Sequence, residues 1–206
     1  MPQIFEILPN EYLSKKTTGY YNHLYAYDKN NLYCYHILKN TFNNINIKSL
    51  TKARDEVCDI LINDIPCILK DNGISNWIIM CVPRAKSYKK FSNNQLMFKE
   101  AADIAAKQIS EAAACTDYII RIKDTYTTHL DIPTKSGRIK DNTGPKPYPG
   151  ITKNTCQIDN QVKDKNIILI DDIYTPNANI DEDCIQALYD CGAKNIIFYA
   201  IAYTNR

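Results

Sequence analysis

The chain has 206 residues, and its 25 Lys and Arg stand against 23 Asp and Glu, for a formal net charge of +2 at neutral pH. So small an imbalance gives no field that would drive nucleic-acid or membrane binding by charge alone, while a hydrophobic share of 45% suits a domain with one sizeable core. No apolar run reaches transmembrane length, and Met1–Asn10 contains Glu6 without a long apolar stretch, so no signal peptide is read there.

In chain order, the apolar spacing predicts helices over about 31–40 and 50–63. Pro66 is expected to open another short helix that ends near Gly73. Residues 77–83, Trp-Ile-Ile-Met-Cys-Val-Pro, read as a buried strand, followed by a basic loop with Arg84, Lys86, Lys89 and Lys90. A long helix is expected over about 92–114, because Met97, Ala101, Ile104, Ala105 and Ile109 form one stripe. Residues 117–122 read as a strand. From Lys123 to Lys165 the periodicity fades into Thr, Lys, Asp and Pro, the composition of a lid or long loop.

The run Asn166–Ile170 reads as a fully buried strand that delivers Asp171 and Asp172 to its carboxyl end. A loop follows, and then a helix with Ile180, Cys184, Leu188 and Cys191 on one face. The helix stops at Gly192, and residues 196–202 complete a strand-helix-strand unit with a parallel pair. In open α/β sheets ligands bind beyond the carboxyl ends of the strands, so the paired acids stand where chemistry is expected. The eight cysteines, at 34, 58, 67, 81, 115, 156, 184 and 191, form no Cys-x-x-Cys pair. They read as reduced, intracellular thiols, which points to the cytoplasm.

Each feature also has a plainer reading. A Walker B acid pair would need a Gly-x-x-x-x-Gly-Lys-Ser/Thr loop, and none occurs. A receiver-type acid pair would lie near the start of its domain, not the end. Two aspartates that merely cap the following loop remain open. Asp181 and Glu182, in the first helical turn, suit the helix dipole. The basic run 84–90 is either a solvated surface or an anion site. Arg138 and Lys140 read as surface charge, and His129 has no metal or nucleophile constellation around it. The fifteen tyrosines suit amphipathic packing better than base stacking, since no basic-aromatic alternation is sustained.

The stretch IILIDDIYTPNANIDEDCIQALYDCGAKNIIFYAIA resembles the phosphoribosyl pyrophosphate (PRPP) motif of type I phosphoribosyltransferases. The strand end Val82-Pro83, its basic loop and the Phe91–Leu96 helix start resemble the competence protein F-like branch of that family. So do Asp117–Ile122 with Arg121, Thr127–Leu130, Ser136–Arg138, and Tyr25–Asp28 with the helix after it. The cysteine-rich zinc ribbon often found ahead of that region is missing.

The resemblance implies an α/β phosphoribosyltransferase type I fold: a mainly parallel twisted sheet flanked by helices, with a small hood. One domain would span 1–206, with a hood region over about 1–75 and a core over about 76–206. It also implies transfer of phosphoribose from PRPP to a nitrogen acceptor with release of pyrophosphate. Asp171 and Asp172 would hold the ribose hydroxyls and favour the charge that develops on the sugar. The loop Thr175, Pro176, Asn177, Ala178 and Asn179 would cradle the 5′-phosphate at a helix N-terminus. Arg84 and Lys86 would meet the pyrophosphate, with Mg²⁺ carried mainly by the ligand rather than by protein side chains.

Three loop positions depart from the family pattern Thr-Thr-Gly-x-Thr. Pro176 lacks a backbone donor, Asn177 stands where Gly is expected, and Asn179 stands where Thr is expected. Asn179 is a good N-cap type, and Asn tolerates positive φ. The departures keep open a second expectation, a catalytically inactive nucleotide- or PRPP-binding accessory with a protein partner. A homodimer is also open, and an assembly or DNA-uptake role has only the resemblance behind it.

Overall fold

The computed structural model describes residues 1–25, 33–73, 75–126, 150–152 and 154–204. Its elements, in chain order, are β1 (Gln3–Ile7), β2 (Thr17–Tyr25), α1 (Tyr33–Lys39), α2 (Ile47–Asn72), β3 (Trp77–Cys81), α3 (Met97–Gln108), β4 (Ala112–Ala114), β5 (Ile119–Arg121), β6 (Cys156–Ile158), β7 (Asn166–Tyr174), α4 (Ile180–Asp190) and β8 (Asn195–Thr204). Among the described residues no helix is long and apolar enough to cross a membrane.

Six strands form one sheet in the order β1-β2-β8-β7-β3-β4. The five from β2 to β4 are parallel, and β1 is antiparallel at one edge. The central strands explain their own placement, because β3 is buried at every position and β7 from Asn166 to Ile170, the pattern of strands covered on both faces. Ile79, Ile168, Ile170, Ile197 and Tyr199 pack under α1, α2 and α3. Their neighbours Ile78, Met80, Ile167, Leu169 and Phe198 pack against α4 and the β5–β6 ribbon. The fold is thus an α/β sheet, mostly parallel, with helices on both faces.

Where β1 crosses β2, Gly19 faces Phe5. A Cβ at Gly19 would lie 2.4 Å from Phe5 Cζ, so only glycine lets this ring lie flat on the strand. The ring continues into a cluster with Tyr174 and Tyr203, both at a centroid distance of 4.9 Å.

Several sequence expectations change. The expected helix break at Pro66 is absent: α2 runs unbroken, opened by Asn46, whose side chain accepts from the Ser49 N–H, and closed by Gly73 at φ +61. An interior proline costs about 3 kcal/mol. Leu50, Val57, Leu61, Ile65 and Ile68 are all buried on the same helix, and each contributes about 1.5–3 kcal/mol, so tertiary burial outweighs the local cost. The helix expected over 92–114 is shorter. Two single 3₁₀ turns precede α3, and Ala112–Ala114 leaves the helix to pair with Trp77–Ile79 as a sheet edge, a case of pairing overriding alanine's helix preference.

The strand expected at 117–122 forms as β5, but it pairs with β6 in a separate antiparallel ribbon. Finally, β7 does not stop at Ile170. Its pairing with β3 ends there, at Cys81, while its pairing with β8 continues through Asp171 to Tyr174. The acid pair therefore lies within the strand, held by the extended β7–β8 ladder, and not past its end.

Candidate functional site

The strand order has a consequence for where ligands bind. From β3 the chain crosses through α3 to β4 on one side, and from β7 it crosses through α4 to β8 on the other. The two connections leave in opposite directions and their helices cover opposite faces, so a crevice opens between the carboxyl ends of β3 and β7. That is the topological switch point at which open α/β sheets take ligands. Asp171 and Asp172 lie on its β7 side, and the segment carrying Arg84 and Lys86 leaves its β3 side.

Because β7 is still extended at the acids, successive side chains alternate. Asp172 faces the side of α1 and α2, where it closes a cavity of about 10 Å³ together with Cys34, Leu38, Val57, Phe98 and Ile201. Asp171 faces α4, with its carboxyl in hydrogen-bonding contact with Asp181. The Asp172 N–H donates to Asp171 Oδ1 (2.8 Å) and the Ile173 N–H to Asp172 Oδ1 (2.7 Å). Burial first, and then the neighbouring Asp172 charge, push the Asp171 carboxyl up to about 7.

The loop from Thr175 to Asn179 is a tight turn, with the Ala178 N–H donating to Thr175 O at 3.0 Å. Asn177 and Asn179 both adopt left-handed backbone, at φ +67 and +57. Asparagine is the non-glycine residue that best accepts this conformation. The expectation that Asn179 caps α4 is half right: it occupies the cap position, but its side chain makes no cap bond. Instead its Nδ2 donates to Asn177 O (3.1 Å), and its Oδ1 accepts from Asn10 Nδ2 (3.1 Å). The left-handed backbone turns the amide away from the helix and toward the segment that follows β1.

The first turn of α4 carries three acids, and all are buried: Asp181 at 3%, Glu182 at 2% and Asp183 at 7% relative exposure. Each meets a different neighbour. Asp183 Oδ2 accepts from the Gly150 and Ile151 N–H groups at 2.6 and 2.7 Å. Glu182 Oε1 accepts from the Tyr174 hydroxyl at 2.8 Å. Asp181 meets Asp171, and burial, then the Asp171 charge, hold its carboxyl well above the usual carboxylate range. The positive end of the helix dipole and the unpaired N–H groups of the first turn favour an anion, but these carboxyls partly use that field themselves.

Arg84 and Lys86 both follow the carboxyl end of β3, and both are anchored to main chain. Arg84 donates to Gln95 O (2.5 Å) and Lys39 O (2.6 Å), and its guanidinium lies 4.7 Å from the Phe91 ring centre. Burial lowers its pKa, and the field of Asp172 opposes that. Lys86 Nζ donates to Thr125 O at 3.0 Å, and Lys90 pairs with Asp124 at 2.6 Å. Arg121, buried, fastens this region by donating to Arg84 O (3.0 Å) and Gly150 O (2.6 Å). Arg138, Lys140 and His129, with Thr127, Thr128, Ser136 and Gly137, lie outside the described residues.

Cys81 ends β3 beside the crevice, but burial pushes its thiol up to about 12, so it is not a nucleophile at neutral pH. No disulfide joins any of the eight cysteines, all of which are described. A larger depression of about 720 Å³ lies elsewhere, along Ile47–Asp59 of α2. Its walls come from one helix and include neither Asp171 nor Asp172, so the switch point is the better candidate. No protein-family model matches the chain, and no curated protein is significantly similar to it.

Proposed function

We propose that this chain binds PRPP or another 5′-phosphorylated ribose through a type I phosphoribosyltransferase fold, and transfers phosphoribose to a nitrogen acceptor with release of pyrophosphate. The observation that carries the proposal is that Asp171 and Asp172 on β7 and Arg84, three residues past β3, flank the switch point between those strands, with burial lowering the guanidinium's pKa and the charges of Asp172, Tyr88 and Asp171 opposing that. A ribose offers vicinal hydroxyls as donors and gains positive charge as pyrophosphate leaves, and two carboxylates serve both needs. The turn at Thr175, Pro176, Asn177, Ala178 and Asn179 leads into the N-terminus of α4, which suits the 5′-phosphate. Arg84 and Lys86 would meet the pyrophosphate once their carbonyl partners are exchanged for phosphate oxygens. Cysteines that form no disulfide suit a cytoplasmic setting.

Among the described residues no three His, Cys, Asp or Glu side chains converge on a metal position. In this proposal Mg²⁺ would be carried mainly by the ligand, where it would offset the charge of the leaving pyrophosphate. The protein's part is to orient the sugar and to neutralise from the β3 side.

A second reading, a ribose-phosphate-binding accessory without turnover, is favoured by one specific observation: both proposed pyrophosphate cations donate to backbone carbonyls. Calorimetric titration with Mg²⁺ and PRPP, run beside a pyrophosphate-release assay over a panel of nitrogen bases, separates the two. Binding with release supports transfer, and binding without release supports the accessory. Asp171→Asn together with Asp172→Asn should weaken binding at least tenfold, about 1.4 kcal/mol, with folding nearly intact. Unchanged affinity in that variant would refute the ribose assignment.

A further inference from the structure

We propose that Asp181 is a positioning residue that retains a proton at neutral pH and donates it to Asp171, orienting that carboxylate toward the hydroxyls of a phosphorylated ribose. A first-turn acid ordinarily serves the helix dipole, but the burial of Asp181 assigns it another role. It is 3% exposed, and its Oδ1 meets no donor. Its carboxyl nevertheless touches that of Asp171. Two carboxyls in contact, with a buried oxygen and no other donor to it, are compatible when one of them keeps a proton, since like charges at that separation disfavour joint ionisation.

The surroundings decide which one keeps it. Asp171 adjoins Asp172 in β7, with the two side chains on opposite faces, and feels the positive fields of Lys39, at the end of α1, and Arg84, after β3. Its Oδ1 also accepts the Asp172 N–H. Asp181 faces Asp171, Glu182 and Asp172, with Tyr174 close by, and no cation is among its main influences. The carboxylate charge therefore settles on Asp171 and the proton on Asp181. A hydrogen bond from Asp181 fixes one side of Asp171 and leaves its remaining lone pairs for the ligand. The proton is held, not transferred, so no co-reactant is required.

This inference rests on the phosphoribosyl reading for its purpose but not for its chemistry, and two measurements separate them. In the ligand-free full-length protein, carboxyl-carbon NMR with labelled aspartate follows both groups, assigned by their loss in Asp171→Asn and Asp181→Asn. Asp171 should titrate near neutrality, and Asp181 should keep its proton until Asp171 has lost its own. In Asp181→Asn, whose amide still donates, the Asp171 midpoint should hold or fall slightly. In Asp181→Leu, which cannot donate, it should rise by about one pH unit or more. An Asp181 that ionises before Asp171, or an Asp171 midpoint that ignores both substitutions, overturns the shared proton.

The second measurement is calorimetric titration with ribose 5-phosphate at pH 6 to 8.5. Affinity should climb as Asp171 ionises, and the climb should move to higher pH in Asp181→Leu while staying in place in Asp181→Asn. If the wild type binds no ribose 5-phosphate at any pH, the role assigned to the pair is refused, and the shared proton is judged by the NMR titration alone. If Asp181→Leu does not fold, the Asn variant and the wild-type titration still decide.

Discussion

The phosphoribosyltransferase pattern that this loop resembles has Thr at the position of Asn179, and Asn179→Thr tests whether the loop's backbone, and not its side-chain chemistry, dictates the departure. At φ +57 a β-branched residue brings its side chain against its own backbone, at a cost of about 1–2 kcal/mol. The substitution also removes the bonds to Asn10 and Asn177, both 3.1 Å and both exposed. Exposed bonds of this kind contribute at the low end of about 0.5–1.5 kcal/mol each. Together the loss is about 2–3 kcal/mol, which for a chain of this length lowers Tm by about 4–12 °C.

Asn179→Gly is the control, since it loses the same two bonds but adopts positive φ freely, and it should lose no more than about 1 kcal/mol. Asn10→Ala removes only the inter-segment bond and should cost about 0.5 kcal/mol. Urea unfolding of the three variants gives the comparison. An Asn179→Thr variant as stable as Asn179→Gly would refute the backbone argument and return the Asn to a role in ligand contact.

Two further outcomes are expected. Replacing Arg84 and Lys86 together by Ala should weaken PRPP binding far more than ribose 5-phosphate binding, because only PRPP carries the pyrophosphate; parallel losses in calorimetry would make these residues structural anchors alone. Stability should fall as pH rises from about 4 toward 7, because the Asp171 carboxyl, lifted in the folded state to about 7 from about 3.9 when unfolded, contributes fully only below its unfolded pKa. The slope attributable to Asp171 approaches about 1.4 kcal/mol per pH unit at most, and Asp171→Asn should remove it in urea melts at pH 5 and pH 8. Melts in which the wild type and the variant share one pH dependence would contradict the buried-acid account.

The apolar runs at 77–81, 166–170 and 196–202 were enough to find the three central strands, because strands covered on both faces carry a continuous signal that polar surface does not dilute. The edges were not legible. β4 is three alanines, which by propensity belong to a helix, and only the partner strand beside them makes them a strand. Pro66 misled for the complementary reason: a local cost is visible in sequence, while the buried stripe that outweighs it is a tertiary fact.

At the candidate site, Asp171 and Asp172 stood out by adjacency to a buried run, but their opposite orientations depend on how far β7 extends, which is set by the ladder with β8. Asp181 was legible and missed. It is the first member of the stripe Asp181, Cys184, Ile185 and Leu188, the i, i+3, i+4, i+7 spacing of an inward face, and all four are buried. Reading acids in a first turn only as dipole partners hid it.

The alternation along β7 would divide the proposed ribose grip between the two layers of the molecule. Asp172 is set by the packing of α1 and α2, and Asp171 by the packing of α4, so a sugar held by both would act as a rivet through the sheet. Its binding should slow amide exchange in α2 and α4 together, although the central strands separate them. A mutation that loosens either layer alone would then leave one hand of the grip intact, with affinity reduced and the stabilising effect of the ligand confined to the other layer.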